Sequence, residues 1–238
     1  MKIEKDLEII GNALFIPSKK TLILSDLHIG QDESMNANGL LVPRFQYQDL
    51  YNETQRIIKQ TQPETIILNG DVKHEFSRIL KEEWKRIQEY LRYLKRNRTV
   101  IIIKGNHDAI IEPLAKSQEI EMKNYEKINN VFICHGDKII ENKDYEQSKT
   151  IIIGHEHPAI TLKDGIRTEK YKCYLKGKYK NKKLIVMPAM NPSSEGSDVL
   201  TQKLLSPYLK NNKNLKNFKA IIIEENKAYD FGEIKNLE

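Results

Sequence analysis

The sequence predicts an α/β layered domain whose sheet becomes mixed toward the C-terminus. Short aliphatic runs rich in Ile and Val recur along the 238 residues, and helical patterns lie between the early runs. In the second half the runs follow one another with little helical pattern between them. Alternating strands and helices that give way to consecutive strands favour this class. A chain of this length can form one substantial domain, so we expect a single domain over residues 1–238.

Each predicted element rests on a local pattern. The strands are expected, in chain order, at Leu7–Ile10, Ala13–Ile16, Thr21–Leu24, Thr65–Leu68, Thr99–Ile103, Val131–Cys134, Thr150–Ile153, Leu184–Met187 and Ala220–Ile223, with a final hairpin partner at Ala228–Phe231. Amphipathic helices are expected at Phe45–Gln60 and Ser77–Arg96, because their apolar residues recur at helical spacing.

Composition indicates a cytoplasmic protein without a membrane segment. The N-terminal residues MKIEKDLEII carry charges where a secretion signal needs an apolar core. The apolar runs are far too short to cross a bilayer. Cys134 and Cys173 have no zinc or redox spacing, which favours a reducing compartment.

Polar clusters follow five of the predicted strands. They are Ser25–His28, Asn69–His74, Lys104–Asp108, Cys134–Asp137 and Gly154–Pro158. All six histidines of the chain lie in these clusters. A single histidine at such a place is usually satisfied in the core, but six at strand ends are hard to explain in that way. Ligands of α/β sheets bind at the carboxyl ends of strands, so the clusters predict one shared site.

The side chains of these clusters suit divalent metal ions. Imidazole, carboxylate and one side-chain amide favour ions such as Mn, Fe or Zn. A structural zinc site needs about four ligands and usually includes cysteine. The candidates here are too many for one ion, and two neighbouring ions can clamp a phosphate and activate water. The clusters therefore predict a dinuclear centre that hydrolyses a phosphate ester.

The same motifs resemble those of the calcineurin-like metallophosphoesterases. That family shows DxH, GD, GNH[DE], a lone H and GHxH in this order. Here the corresponding residues are Asp26-x-His28, Gly70-Asp71, Gly105-Asn106-His107-Asp108, His135 and Gly154-His155-x-His157. The resemblance implies a four-layer αββα sandwich of two mixed β-sheets flanked by helices.

The resemblance also implies a role for each motif residue. Asp26, His28 and His157 would hold one ion, Asn106, His135 and His155 would hold the other, and Asp71 would bridge both. His107 would remain outside the metal ligands, where an imidazole can protonate the leaving oxygen. Asp108 would orient His107 from behind. Mn is the expected metal, with Fe, Ni and Zn as alternatives.

One departure points to a narrower likeness. The residue three positions after Asp71 is His74, where many members carry Asp or Asn. With Asn191-Pro192, this is similar to the ICC-like subfamily, which is related to archaeal SbcD-type and ligase-associated PdeM-type proteins. That likeness implies Mn-dependent phosphodiester hydrolysis, including DNA nuclease activity and DNA repair protein partners. His74 would contact the phosphate or act as a further acid; a buried supporting role stays equally open.

Basic residues supply the candidates for substrate contact. The net charge of +6 permits an anionic partner, and Lys163–Lys183 contains nine basic and two acidic residues. We expect this segment to form strand, turn and strand, with a tip near Tyr179–Lys182. The substrate-binding candidates are Arg44, Lys73, Lys176, Lys178 and Lys180. Tyrosines between the lysines suit single-stranded nucleic acid, whereas an edge hairpin kept soluble by lysines is the alternative.

The sequence thus predicts a hydrolase that cleaves phosphodiester bonds, with DNA as the expected substrate. A phosphodiesterase or pyrophosphatase for a small nucleotide is the second hypothesis. A scaffold of the same fold that has lost catalysis is the third, and the intact set of candidate ligands argues against it.

Overall fold

The computed structural model describes residues 1–43, 45–76, 80–165, 167–210 and 212–237, without the side chains of Lys163 and Asp164. Within these ranges the strands are β1 (Lys2–Glu4), β2 (Leu7–Ile10), β3 (Ala13–Ile16), β4 (Thr21–Leu24), β5 (Thr65–Asn69), β6 (Thr99–Ile103), β7 (Glu121–Lys123), β8 (Tyr125–Ile128), β9 (Val131–Cys134), β10 (Thr150–Ile153), β11 (Pro158–Asp164), β12 (Arg167–Tyr179), β13 (Lys182–Val186), β14 (Ser197–Asp198), β15 (Lys219–Glu224) and β16 (Lys227–Glu233). The α-helices are α1 (Gln31–Ala37), α2 (Gln46–Thr61), α3 (Lys81–Lys95), α4 (Glu112–Ser117), α5 (Lys143–Gln147) and α6 (Pro207–Lys210). Short 3₁₀ turns lie at Pro17–Lys19, Leu215–Asn217 and Ile234–Asn236.

The first sheet contains β1 to β7 in the order of the chain. Strands β1 to β4 pair antiparallel, whereas β4 to β7 pair parallel. The parallel connections pass through helices, as parallel pairing requires. The carboxyl ends of β4, β5 and β6 therefore meet at one edge of this sheet.

The second sheet has the order β14-β11-β12-β13-β10-β9-β8, and β15 pairs with β12 on one side and β16 on the other. Its centre is parallel, because β10 runs parallel to both β9 and β13. The strands that flank this parallel centre, β8 and β12, are antiparallel to their neighbours β9 and β13. The carboxyl ends of β9 and β10 again lie together.

Alternating side chains on the central strands build three hydrophobic clusters. In β4, Leu22 and Leu24 pack with α2 and α3, whereas Ile23 points the other way. In β10, Ile152 shares the cluster of Ile23, while Ile151 and Ile153 pack with residues of α5 and α6. A strand buried on both faces must be apolar at every position, which explains the continuous aliphatic runs. The layers are therefore helices, sheet, sheet and helices, which confirms the two mixed sheets flanked by helices.

Some element predictions need correction. Periodicity alone indicated one sheet that becomes mixed, but the chain builds two. The segment Lys163–Lys183 contains the end of β11, all of β12 and the start of β13, so it is not a single edge hairpin. The predicted turn near Tyr179–Lys182 is confirmed between β12 and β13. Within the described residues, no helix combines the length and apolar character needed to cross a bilayer.

Candidate metal centre

The candidate ligands come from the carboxyl ends of five parallel strands in the two sheets. They are Asp26 and His28 after β4, Asp71 after β5, Asn106 after β6, His135 after β9, and His155 and His157 after β10. The two sheets pack face to face, so these ends meet at one end of the sandwich. Residues separated by more than 100 positions thus become neighbours, and the predicted convergence of the five clusters is observed.

One group of potential ligand atoms comprises Asp26, His28, Asp71 and His157, all within 4.8 Å of one another. The Nε2 atom of His157 lies 3.0 Å from Oδ1 of Asp26. The Nε2 atoms of His28 and His157 face each other at 3.3 Å, and Nε2 of His28 is 3.8 Å from Oδ2 of Asp71. The two imidazoles and two carboxylates therefore point at a common centre.

A second group comprises Asp71, His135 and His155, again within 4.8 Å. Nε2 of His135 lies 3.3 Å from Oδ2 of Asp71 and 3.2 Å from the amide Oδ1 of Asn106. Asn106 thus borders the second group, as the family resemblance implies. Asp71 belongs to both groups, which is the arrangement that a bridging carboxylate requires.

The burial and charge of these residues fit bound cations. Asp26 is fully buried and Asp71 is only 2% exposed. In the described part of the chain, their ion-pair partners are histidines rather than Lys or Arg. Buried carboxylates need compensating positive charge, and Asp, Asn and His are ligands that borderline divalent ions accept. The donor set therefore fits divalent metal ions.

The same charges shift the pKa values of the histidines in opposite directions. Burial, reinforced by His157, lowers the pKa of His28 to about 3, so its ring is neutral and can donate a lone pair. Burial would also lower the pKa of His135, but the hydrogen bond and charge of Asp71 raise it to about 10. For Asp26, burial acts to raise the pKa, and the attraction of His157 and His135 outweighs it, so the pKa lies below its ordinary value.

Glycines beside the ligands are required by close approach. A Cβ atom at Gly105 would lie 2.4 Å from the backbone nitrogen of Asp71 and 2.1 Å from its Oδ1. At Gly154 it would lie 2.4 Å from Oδ2 of Asp26. At Gly70, where φ is +80°, it would lie 2.1 Å from Nδ1 of His135. No side chain fits at these three positions unless the ligands move.

His107 lies beside the two groups, as predicted. Its Nε2 atom is 3.8 Å from Oδ2 of Asp71, and its backbone N–H donates to Oδ1 of Asp71 at 3.0 Å. The ring Nδ1 contacts the backbone carbonyl oxygen of His74. This contact leaves Nε2 directed toward the shared carboxylate.

The predicted role of Asp108 is corrected. Its carboxylate accepts backbone N–H groups of Val72 at 2.9 Å, Lys73 at 3.3 Å and Gly105 at 3.0 Å. These contacts fasten the loop after β5 to the loop after β6, and the carbonyl of His74 contacts the His107 ring instead. Burial, together with the charge of Asp71, raises the pKa of Asp108 to about 6.

His74 lies at the rim of the centre. Its ring centroid is 5.5 Å from that of His28 and 6.0 Å from that of His107. Burial and the neighbouring His107 lower its pKa, so its neutral form is favoured. Direct contact with substrate and a supporting role both remain predictions.

The proposed phosphate contact of Lys73 is wrong. Its side chain is fully buried, and Nζ lies 2.8 Å from Oε2 of the equally buried Glu83. Its ammonium also donates to the backbone carbonyl of Glu75. Lys73 therefore links the loop after β5 to α3. Arg44 lies outside the described residues.

The lysines of β12 lie away from the metal centre. In register, Lys178 is opposite Lys183, which pairs with Thr150 at the start of β10, whereas the ligands follow the end of β10. Lys176 pairs with Glu4 and Lys180 with Glu141. The structure therefore does not bring Lys176, Lys178 or Lys180 to the ligands, and their contact with nucleic acid stays a prediction.

Three residues around the metal centre were missed by sequence reasoning. The Ser25 hydroxyl donates to Oδ2 of Asp26 at 2.7 Å, and Ser194 Oγ lies 3.5 Å from Nδ1 of His157. Phe76 packs on His107, with ring centroids 3.5 Å apart. Ser25 could have been identified from the sequence, because it directly precedes a ligand at a strand end. No sequence pattern points to Ser194 or Phe76.

A known protein family and two solved structures are similar to this chain. The sequence profile described as calcineurin-like phosphoesterase matches residues 19–222. A search of curated proteins found no match to this chain. Among solved structures, the nuclease MPE of Pseudomonas putida is similar at 15% identity with a TM-score of 0.64, covering 94% of each chain. The phosphoesterase Yfce of E. coli is similar at 11% identity with a TM-score of 0.41, covering 90% of this chain and 98% of its own.

Proposed function

Because this chain belongs to the calcineurin-like phosphoesterase family, we propose that it is a phosphodiesterase that uses two divalent metal ions to cleave nucleic acid. The observation that carries the proposal is the presence of Asp71 in both groups of ligand atoms. A carboxylate placed in this way can hold two ions close together, which is the arrangement of two-metal hydrolases. Mn²⁺ is the ion we propose, because the donors mix imidazole with oxygen ligands.

The contacts support one set of proposed ligands for each ion. Asp26, His28, His157 and Asp71 would hold one ion, and Asp71, His135, His155 and Asn106 would hold the other. When bound, such ions supply Lewis-acid activation of water and stabilise charge on the phosphate oxygens.

His107 is the proposed proton donor to the leaving oxygen. The carbonyl of His74 accepts from Nδ1, so this nitrogen carries a proton in either charge state of the ring. The additional proton of the imidazolium is then on Nε2, the atom that faces the shared carboxylate at 3.8 Å. That is the proton available for transfer to a leaving alkoxide.

Two observations support a diester of nucleic acid as the substrate. Lys73, the described lysine nearest in sequence to Asp71, is buried and paired, so it does not add the charge that would favour a dianionic monoester. The structural neighbour from Pseudomonas putida is named a nuclease. A diester carries one negative charge and gains from protonation of its leaving group, which suits His107.

Asp71→Asn tests the shared ligand. We expect this variant to lose hydrolysis of bis-p-nitrophenyl phosphate and most of both ions, because one carboxylate serves both groups. Asp49→Asn, an exposed residue of α2, is the matched control and should keep both. The metal content of each variant is measured by mass spectrometry, and its turnover is measured in parallel. An Asp71→Asn protein with two ions and normal turnover would contradict the dinuclear centre.

His107→Asn tests the proton donor. Turnover of labelled single-stranded DNA, whose leaving group is an alkoxide, should fall by roughly 10²–10⁴-fold while metal content stays unchanged. Loss of an ion would instead make His107 a ligand.

The substrate class is tested with the wild-type protein, which is given bis-p-nitrophenyl phosphate, p-nitrophenyl phosphate, cyclic nucleotides and labelled single-stranded DNA side by side. Faster cleavage of the monoester than of the diesters would contradict the proposal.

A further inference from the structure

Phe76 is an exposed aromatic side chain at the rim of the metal centre. It is 52% exposed, and its ring packs on His107 with centroids 3.5 Å apart and ring planes inclined by 34°. His107 in turn lies 3.8 Å from Asp71. The chain of contacts therefore leads from the shared carboxylate through the proposed proton donor to an open aromatic ring.

The backbone before Phe76 is held firmly. Oε1 of the buried Glu83 accepts the backbone N–H groups of His74 at 3.2 Å and Glu75 at 3.1 Å. The Ser34 hydroxyl donates to Oε2 of Glu75 at 2.9 Å. These contacts tie the segment to α1 and α3. An anchored backbone presents the ring in a defined place, which favours recognition over a chance exposure of an apolar side chain.

A half-exposed aromatic ring in this position matches a nucleobase. A phosphodiester held near Asp71 must place its leaving oxygen beside His107, and the group attached to that oxygen then continues toward Phe76. Every base has an aromatic face, so such a ring stacks on bases without strong sequence preference. Aliphatic alcohol groups offer no such face.

We infer that Phe76 is a base-stacking residue that selects nucleoside esters over simple alkyl esters at this site, an inference that rests on the proposed phosphodiesterase function. It adds a specificity determinant to the hydrolytic machinery. The stacked base is the one attached to the sugar nearest the scissile phosphate.

The kinetic test compares two methyl phosphodiesters that differ in the alcohol to be released. One is the methyl ester of thymidine 5′-monophosphate, which releases thymidine, and the other is ethyl methyl phosphate, which releases ethanol. Both leaving groups are primary alcohols, so any effect of a substitution through His107 acts on both and cancels from the ratio of the kcat/KM values for their release. Phe76→Leu should lower the thymidine-to-ethyl ratio by about 5–150-fold, the range that corresponds to the loss of one stacking contact. Phe76→Trp, which keeps an aromatic face, should retain the ratio.

A binding test separates this inference from the proposed function. Titration calorimetry of the metal-loaded protein with thymidine 5′-monophosphate and with inorganic phosphate needs no turnover. Weaker binding of the nucleotide to Phe76→Leu, with phosphate binding unchanged, supports the stacking role even if neither ester is hydrolysed. Equal loss for both probes, or no loss for either, overturns it.

Discussion

At five candidate ligands the backbone adopts the left-handed conformation that non-glycine residues rarely take. They are Asp26, His28, Asp71, His155 and His157, with φ values between +42° and +63°. Such conformations persist only where the surroundings impose them. Here the loops hold one another, because the backbone N–H of His155 donates to both carboxylate oxygens of Asp26 at 3.1 Å. The ligands are thus fixed in place by the protein itself.

A methyl group at Gly105 tests this fixed arrangement. Gly105→Ala should lower metal content and turnover strongly, because the new Cβ would meet the backbone nitrogen of Asp71, which cannot rotate away as a side chain can. Gly165→Asn is a suitable control, since nothing lies within 4 Å of its Cβ position and Asn tolerates a φ of +59°. Metal analysis of both variants measures the effect. Full metal content in Gly105→Ala would show that the loop after β5 can shift freely.

The ligands could be predicted from the sequence because each lies within four residues of the end of an apolar strand. The roles of Asp108 and Lys73 could not. The carboxylate of Asp108 directly follows His107 in the sequence and was therefore expected to orient it. In the structure this carboxylate instead accepts hydrogen bonds from three backbone N–H groups. A lysine at a strand end looks like a phosphate ligand, yet Glu83 lies within reach on a helix that begins eight residues later.

The ion pair of Lys73 and Glu83 joins the loop after β5 to α3. Substitution of these residues tests how much the pair contributes to stability. Glu83→Gln should destabilise the protein by about 3–5 kcal/mol, because it leaves a buried ammonium without its counter-charge. The double variant with Lys73→Met should be less destabilised than the two single changes added together. Urea unfolding measures all three.

The partly exposed pair of Lys104 and Glu112 is the control for this experiment. Its atoms lie 2.9 Å apart, but both side chains are about two-fifths exposed. Glu112→Gln should therefore have little effect on the free energy of unfolding. A cost as small for Glu83→Gln would mean that Lys73 finds another partner.

Lys172 on β12 gives a pH-dependent prediction. Burial lowers its pKa to about 8, and its ammonium donates to the carbonyl oxygens of Ala189, at 3.1 Å, and Asn191. Above this pKa the unfolded chain binds more protons at this site than the folded chain, so stability gains with rising pH up to the ordinary lysine pKa of about 10.4. The difference in unfolding free energy between wild type and Lys172→Met should therefore grow in favour of wild type from pH 8 to 10. A constant difference would contradict the lowered pKa of Lys172.

The apolar central strands were predictable, whereas the charged edge strands β7 and β8 were not. β4, β9 and β10 are apolar at nearly every position because both their faces are covered. β7 and β8 have partly exposed residues at most positions and carry charges, so their sequences EMK and YEKI show no strand-like run. The division of the strands into two sheets was likewise not predictable from periodicity, and only the family resemblance implied it.

Each group of ligand atoms draws on both sheets, which predicts a stabilising effect of metal on the whole molecule. Asp26, His28 and Asp71 follow strands of the first sheet, and His135, His155 and His157 follow strands of the second. Mn²⁺ at about 100 times its dissociation constant should stabilise the metal-free protein by about 2.7 kcal/mol, or roughly 5–10 °C in Tm. Asp71→Asn should abolish most of this shift.

Hydrogen exchange shows whether the effect spans the sandwich. Metal should slow amide exchange in β9 and β10 as well as in β4 and β5, because each ion would connect the two sheets. Protection confined to one sheet would contradict the shared ligand sets.

The two sheets also divide the chain at a single point. β7 ends the first sheet at Lys123, β8 begins the second at Tyr125, and only Asn124 lies between them. A cut at Asn124 would give two fragments, each with one complete sheet and neither with a full ligand set. Hydrolysis would then require the two fragments to associate. The protein could therefore be used as a split enzyme, whose activity reports that its two fragments have bound each other.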